Sequence, residues 1–339
     1  MVAETLTDKT KERMMHSRFT LGPRQLEILR RYGPQIGLPL AVALLMVFFA
    51  ANSEVFLTAQ NFRNVGLQAA ALAAVSFGQT FVILTAGLDL SVGSTVALVS
   101  VVSGLGIVAF GTPIGLVLGI LVGAGVGLIN GLVVTRLRVF PFIATLAMLS
   151  IASGLALNIS GGTPITGLPP GFTDIAFELF LGIPVPVVIS AVLLVFAYAV
   201  LRYTRLGRHI YAIGGNQEAA RLSGIKVGAV KIAAYMFCSL TASIGAIILT
   251  ARVASGQPTL GGGLPLESVA AVVLGGVSLF GGRGSIIGVA FGVAFVSILA
   301  NGLNLLNVSS YTQMMVIGAA LIAAVALDQI VARRGGDGE

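Results

Sequence analysis

IGLVLGILVGAGVGLINGLVV, residues 114–134, is a run of twenty-one residues with no charge and a single amide, Asn130. A helix needs about 20 apolar residues to cross the hydrocarbon core of a bilayer. Nothing else about this run is ambiguous, since a soluble helix keeps a polar stripe for water. Arg136 and Arg138 stand just beyond it and bound it on one side.

Comparable runs lie on both sides. Toward the N-terminus they are Ile36–Ala51, Val65–Ala86 and Val92–Phe110, and toward the C-terminus Phe140–Ile159, Val185–Leu201, Ile232–Ala251, Val269–Phe280, Ile286–Ala300 and Tyr311–Leu327. With residues 114–134 they make ten, so the sequence predicts an all-α, polytopic transmembrane bundle of about ten helices. Three runs are short: the first, Val269–Phe280 and Ile286–Ala300. The stretch Val269–Phe280 either borrows residues from the glycine-rich segment before it or forms a half-helix.

Composition agrees. Of 339 residues 56% are hydrophobic and 10% charged, against about 25% charged in an ordinary soluble domain. A folded chain of this size in water cannot hide that many apolar side chains. Glycine is abundant, at 44 residues, and there is no tryptophan, so any aromatic belt is built from tyrosine and phenylalanine. Small residues allow close helix approach where lipid removes the hydrophobic drive between helices. The lone cysteine, Cys238, lies in an apolar run and reads as a small buried hydrophobe.

Charge supplies an independent test of the count. With the N-terminus inside, the inner segments hold eighteen of the twenty Lys and Arg residues, and only Arg63 and Arg252 fall outside. An error of parity would have destroyed this segregation. Both termini are therefore expected in the cytoplasm, with residues 1–33 as an N-terminal tail, 34–330 as the membrane domain and 331–339 as a C-terminal tail. The mixed-charge tail ahead of the first apolar run lacks the pattern of a cleavable signal. Gly161–Pro184 and Ser255–Pro265, rich in glycine and proline, become outer loops that no regular helix can carry through lipid.

Several chemistries lack their parts. There is no Gly-x-x-x-x-Gly-Lys-Ser/Thr phosphate loop. Gly123, Gly125 and Gly127 sit inside an apolar run and not behind a strand, so they signal helix packing and no dinucleotide site. Intramembrane proteolysis needs a buried histidine or two facing acids. His16 and His209 lie in the tail and an inner loop, Asp89 is the one acid deep in an apolar region, and no His-Glu-x-x-His metal site occurs. The chain is not expected to be an enzyme or to bind a cofactor or metal directly.

Asp89, in Gly87-Leu-Asp-Leu-Ser-Val-Gly93, has two readings. It, Ser91 or Ser94 can cap the helix that begins near Val92, where an acid favours the positive dipole end. Alternatively it binds substrate or couples protons. The amides Gln68, Gln79, Asn130, Asn158, Asn301, Asn304 and Gln313 lie in or near the spans. Each serves as an interhelical hydrogen bond or, as a group, as an uncharged path for a hydroxylated solute. Gln79, Asp89, Asn130, Asn158, Asn301 and Asn304 are the candidates for such a path.

The inner loop 202–231 carries Gly214-Gly-Asn-Gln-Glu-Ala-Ala-Arg-Leu-Ser-Gly224. Gln217–Leu222 are helix formers, Asn216 suits the N-cap, Glu218 the first turn, and Gly224 an ending at positive φ. A short helix here lies on the membrane surface or docks into a cytoplasmic partner.

Glu218-Ala-Ala-x-x-x-Gly224 resembles the Glu-Ala-Ala loop by which bacterial ABC importer permeases engage their ATPase subunits. Thr85-Ala-Gly-Leu-Asp-Leu-Ser-Val-Gly-Ser94, Pro141-Phe-Ile-Ala-Thr-Leu146 and Val273-Leu-Gly-Gly-Val-Ser-Leu-Phe-Gly-Gly-Arg-Gly-Ser285 are similar to segments of the sugar branch of that family, to which the ribose importer's membrane subunit belongs. The resemblance covers roughly Asn61–Leu327. It implies a permease in the bacterial inner membrane that provides the path for a monosaccharide, a ribose-like pentose or related sugar or polyol. The implied partners are an ABC ATPase that uses the ATP, a periplasmic sugar-binding protein and a second permease copy, in a homodimer or heterodimer. Gly215, Asn216, Glu218, Ala219, Ala220, Arg221 and Gly224 would form the ATPase-coupling loop. The other reading is a stand-alone proton-coupled transporter of a small neutral solute, with Asp89 as its coupling acid.

Overall fold

A computed structural model describes residues 23–336. Segment 1–22, which holds the tail residues Lys9, Lys11, Arg13, His16 and Arg18, and residues 337–339 of the C-terminal tail lie outside the described residues. Among the described residues the fold is all-α apart from one small hairpin. Its helices are α1 (Pro23–Asn52), α2 (Ala59–Leu84), α3 (Val92–Phe110), α4 (Thr112–Thr135), α5 (Pro141–Ser160), α6 (Pro170–Thr173), α7 (Val185–Tyr203), α8 (Arg205–Gly215), α9 (Gln217–Leu222), α10 (Val227–Val253), α11 (Leu264–Leu274), α12 (Ile286–Leu305) and α13 (Ser310–Gly336).

Seven of these, α2, α3, α4, α5, α7, α10 and α12, are long and apolar enough to cross a membrane. Gly37–Asn52 within α1 and the whole of α11 are shorter apolar helices. The expected run at Val269–Phe280 forms as α11, which starts earlier, at Leu264, and stops at Gly275. Pro265 in its first turn is at home there, because its missing N–H has no helical partner at that position. The run expected to be short at Ile286 continues to Leu305 as a full-length helix. α1 begins at Pro23, inside the segment assigned to the tail.

α2 is the centre. Every residue from Ala70 to Leu84 is buried, so no face of its C-terminal half is left for lipid. It packs against α7, α10, α11 and α12, while α10 also packs along α3 and α4, and α5 flanks α3. The outer faces of α4, α5 and α7 expose Ile114, Val117, Leu121, Ile143, Ile151, Val192 and Val195. Large apolar side chains laid out in this way would be a liability in water and are the ordinary surface of a helix in hydrocarbon.

The loops at one end are not free of structure. Asp174–Ala176 is a 3₁₀ turn, and β1 (Leu179–Phe180) pairs antiparallel with β2 (Ile183–Pro184), Leu179 opposite Pro184 and Phe180 opposite Ile183. Leu181 and Gly182 turn the hairpin, both at positive φ. An isolated bridge joins the two expected outer loops: Ile165 N–H donates to Gly256 O (2.7 Å) and Gly256 N–H to Ile165 O (2.9 Å).

Glycines at every fourth position of α4 form its buried face. Gly115 and Gly119 lie against α3, whereas Gly123, Gly127 and Gly131 lie against α10. A Cβ on Gly127 would stand 2.7 Å from Tyr235 O and 2.8 Å from Met236 Cα, and one on Gly131 2.8 Å from Ile232 Cα. The helices touch backbone to backbone, where a methyl cannot be accommodated by turning a side chain. Gly125, between them in sequence, faces open space. We expect Gly127→Ala to destabilise the bundle by about 1–3 kcal/mol through overpacking. Gly125→Ala should be neutral or stabilising by up to about 1 kcal/mol through helix propensity. Thermal unfolding of the two variants in detergent micelles separates them, and equal losses would refute the close approach.

Candidate functional site

The loop 202–231 folds into an arm of two helices. Thr204 caps α8 by accepting from Gly207 N–H (3.2 Å). Gly207, Ile210 and Ile213 bury one face of α8, and Arg205, Arg208 and Ala212 line the exposed one. α9 forms as its residues specify. Asn216 Oδ1 accepts from Ala219 N–H (2.9 Å), and Gly224 closes the helix at φ +83° with its N–H donating to Arg221 O (3.0 Å). Among Gly215, Asn216, Glu218, Ala219, Ala220, Arg221 and Gly224, only Ala220 is buried. Arg221 donates to Glu218 from Nε (3.2 Å) and Nη2 (2.5 Å), and this guanidinium holds the Glu218 carboxyl below the usual carboxylate range. Lys231 Nζ donates to Gln217 Oε1 (2.6 Å) and ties α9 to the start of α10. With its N-cap, α9 therefore offers water one charged pair, two amides and the exposed side chain of Leu222, and α8 adds the exposed Arg205 and Arg208.

The root of the arm is made of backbone. Gly214 is so close to Leu84 O and to Gly282 N that no Cβ fits, and Gly281 stands against Ala86 N. Gly282 N–H donates to Leu84 O (3.0 Å), and Tyr211 Oη–H donates to Gly284 O (3.0 Å). The Gly281-Gly-Arg-Gly284 turn is thereby held between the arm and the end of α2. It is α8, which leads directly into α9, that meets this end of α2.

One turn further on lies a buried polar knot. Ala86, at φ +55°, ends α2, and the chain turns through Leu88-Asp89-Leu-Ser91 into α3. Asp89 Oδ1 accepts from Ser91 N–H (2.9 Å) and Ser91 Oγ–H (2.6 Å). Asn130 of α4 donates to Ser91 Oγ (2.8 Å), with Asp89 Oδ2 3.5 Å from the same amide. Gln79 of α2 donates to Asp89 O (3.1 Å) and accepts from Cys238 Sγ–H of α10 (3.4 Å). Tyr235 of α10 and Thr145 of α5 both donate to Leu88 O, at 3.3 and 3.4 Å. Four spans thus converge on a single turn.

Asp89 stabilises the start of α3 from two residues ahead of Ser91, the N-cap residue, whose own side chain makes no capping bond. Gln79, Asp89 and Asn130 come together in this knot, while the other three path candidates sit elsewhere. Asn158 is exposed near the end of α5. Asn301 exchanges reciprocal hydrogen bonds with Asn61 (3.0 and 2.9 Å), and Asn304 Oδ1 accepts from Gln313 (2.9 Å). Toward the opposite end α2, α10, α11, α12 and α13 line a partly open cavity of about 260 Å³ that none of the six candidates lines. Gln68 and Gln313 do line it, with Arg252, Glu267 and Ser297, which sequence reading had no means of grouping.

Residues 61–325 match the family described as "Branched-chain amino acid transport system / permease component". The chain belongs to this permease family. The permease is 43% identical to the ribose import permease protein RbsC of Bacillus subtilis (strain 168) over 305 residues, 89% of this chain and 94% of that protein. It is 41% identical to the protein of the same name in Escherichia coli (strain K12), over 85% of this chain and 92% of the other. It is 35% identical to the D-allose transport system permease protein AlsC of Escherichia coli (strain K12), over 89% and 93%. No solved structure matches the chain. As a member of this family the permease is a multi-pass membrane protein and a transport subunit, not an enzyme.

The knot generates a direct test. Asp89→Ala leaves the Ser91 N–H and hydroxyl without their acceptor, for an expected loss of about 1–3 kcal/mol. Asp89→Asn keeps an Oδ1 acceptor and should recover most of that loss in thermal unfolding. If Asn instead preserves stability and abolishes uptake into vesicles, the carboxylate's proton matters and the knot is more than scaffolding.

Proposed function

We propose that the permease is the membrane subunit of an ATP-driven ABC importer and provides the path for a monosaccharide, a ribose-like pentose or related sugar or polyol. A separate ATPase would hydrolyse the ATP, a periplasmic binding protein would deliver the sugar, and a second permease, identical or homologous, would complete the path. The observation that carries this reading is a short, capped, almost wholly exposed helix, α9, in a chain whose relatives are named as ribose and allose permeases. An exposed amphipathic helix between two spans is suited to a groove on a soluble partner.

The proposed topology has about ten crossings with both termini in the cytoplasm of a bacterial inner membrane. The segregation of lysine and arginine supports it. α11 would then be a short crossing completed by its flanking turns, and α1 and α13 would supply the outermost two. In this frame Gly215, Asn216, Glu218, Ala219, Ala220, Arg221 and Gly224 form the surface that the ATPase receives. Closure of the ATPase would push on α9, and the glycine contacts at Gly214 and Gly282 would pass the displacement to α2 and to the turn ahead of α3. The outer loops, latched by the bridge between Ile165 and Gly256, would receive the binding protein. The Asp89 carboxylate is already engaged as an acceptor by Ser91 and lies beside the Asn130 amide, which gives it a structural task. That favours the importer over a stand-alone proton-coupled transporter.

Co-purification from the native membrane tests the reading. An ATPase should come out with the wild-type permease and be lost from a Glu218→Arg, Gly224→Pro double variant, whereas Glu178→Gln on the outer side should retain it. A permease that comes out alone and still moves solute without ATP would refute the importer.

A further inference from the structure

The cavity between α2, α10, α11, α12 and α13 draws a polar group from every helix: Gln68, Arg252, Glu267 and Ser297 from the first four in that order, and Ser310 and Gln313 from α13. Leu72, Leu249 and Val296 supply apolar wall between them. Six polar side chains from five helices do not meet around a void by the logic of helix packing, which would bond them to one another. Here most are not so bonded. The Ser297 hydroxyl is buried with no hydrogen-bond partner among the described residues. The one ion pair among the described residues is Glu218–Arg221, so neither Glu267 nor Arg252 is neutralised by a neighbour. Gln313 spends its NH₂ group on Asn304 Oδ1 and Val308 O, both at 2.9 Å, which leaves its carbonyl oxygen free to accept. Glu267 does lie in the first turn of α11, where a helix favours an acid. That preference accounts for Glu267, and exposure at the surface accounts for an unpaired Arg252, but neither accounts for the buried Ser297 hydroxyl.

The chemistry of the lining selects its ligand. A carboxylate accepts from adjacent hydroxyls, a guanidinium donates to hydroxyl and ring oxygens, and an amide or a serine does both. One acid and one base leave the cavity without net charge. At about 260 Å³ it lies just under the range of about 300–1,000 Å³ typical of drug-sized ligands, which suits one sugar ring and no oligosaccharide. An amino-acid zwitterion would engage Arg252 and Glu267 but leave Gln68 and Ser297 unanswered. We infer that this cavity is a monosaccharide-binding station inside the permease, with Glu267, Gln68 and Ser297 holding the sugar's hydroxyls and Arg252 and Gln313 completing the ring of contacts. The inference rests on the sugar-importer reading. It adds a place, near the outer ends of α10 and α11 in the proposed topology, where the sugar pauses after release by the binding protein.

The test uses the assembled importer in proteoliposomes and the probes D-ribose, D-allose, L-arabinose and L-leucine. Ser297→Cys supplies a thiol in the cavity, and the parent, whose Cys238 is buried, sets the background for a small thiol-specific reagent. The sugar that the importer takes up should slow modification of the introduced thiol about fivefold or more, and leucine should not. Glu267→Gln and Gln68→Leu should each lower uptake of that sugar by about tenfold, the scale of one hydrogen bond. The ATPase should still co-purify with both variants, which separates lost binding from lost folding. Uptake of a sugar that neither protects the thiol nor responds to these two variants overturns the station and leaves the sugar-importer reading intact. Uptake of leucine with protection by leucine alone overturns the sugar reading, and the station for sugar with it.

Discussion

Helices dissolved in lipid gain almost nothing by hiding apolar surface from one another, because the tails around them are equally apolar. Cohesion must come from dispersion at short range, and short range means backbone against backbone. In this permease that requirement is met by glycine. α4 meets α10 through Gly123, Gly127 and Gly131, and α11 meets α12 through Gly275, Gly288 and Gly292, where a Cβ on Gly292 would fall on Ala271 O. The same device appears where the arm joins the bundle, at Gly214, Gly281 and Gly282. Contacts of this kind tolerate little sliding, so groups of helices joined by them behave as solid pieces.

The polar knot around Leu88–Ser91 has a complementary task. A bundle held by dispersion alone would leave the register of α2, α3, α4, α5 and α10 weakly specified. Hydrogen bonds from Gln79, Asn130, Thr145 and Tyr235 to one turn fix it, and each would be costly to break in a medium that offers no water. The knot lies one turn of chain from the root of the arm. The hydrogen bonds that Asp89 accepts from Ser91 give this buried acid a structural task within the knot.

Much of this was legible in the sequence, for reasons that differ by element. The limits of the long spans could be read because the change from apolar to polar is sharp: Val92–Phe110 forms with those bounds, and residues 114–134 gain two residues at the start and one at the end. α9 was legible because its signals are local, an N-cap asparagine at one end and a left-handed glycine at the other. α11 was half legible, since glycine and proline blur where a short apolar helix starts. The cavity could not be read at all. Glu267 looks like a first-turn acid, Ser297 like a small packing residue and Arg252 like a stray outer charge until the fold brings them to one void. The split between Gly125 and its neighbours Gly123 and Gly127 likewise depends on which face α10 covers.

The burial of α2 bears on how the chain comes to be built. Its C-terminal half is enclosed by α7, α10, α11 and α12, all of which leave the ribosome after it, and it carries Ser76, Gln79, Thr80 and Thr85. When α2 first enters the bilayer those groups face lipid or the insertion machinery, and the helices that will cover them have yet to be synthesised. The innermost element of the finished permease is thus made before the helices that cover it, and its polar groups are enclosed only as those helices arrive.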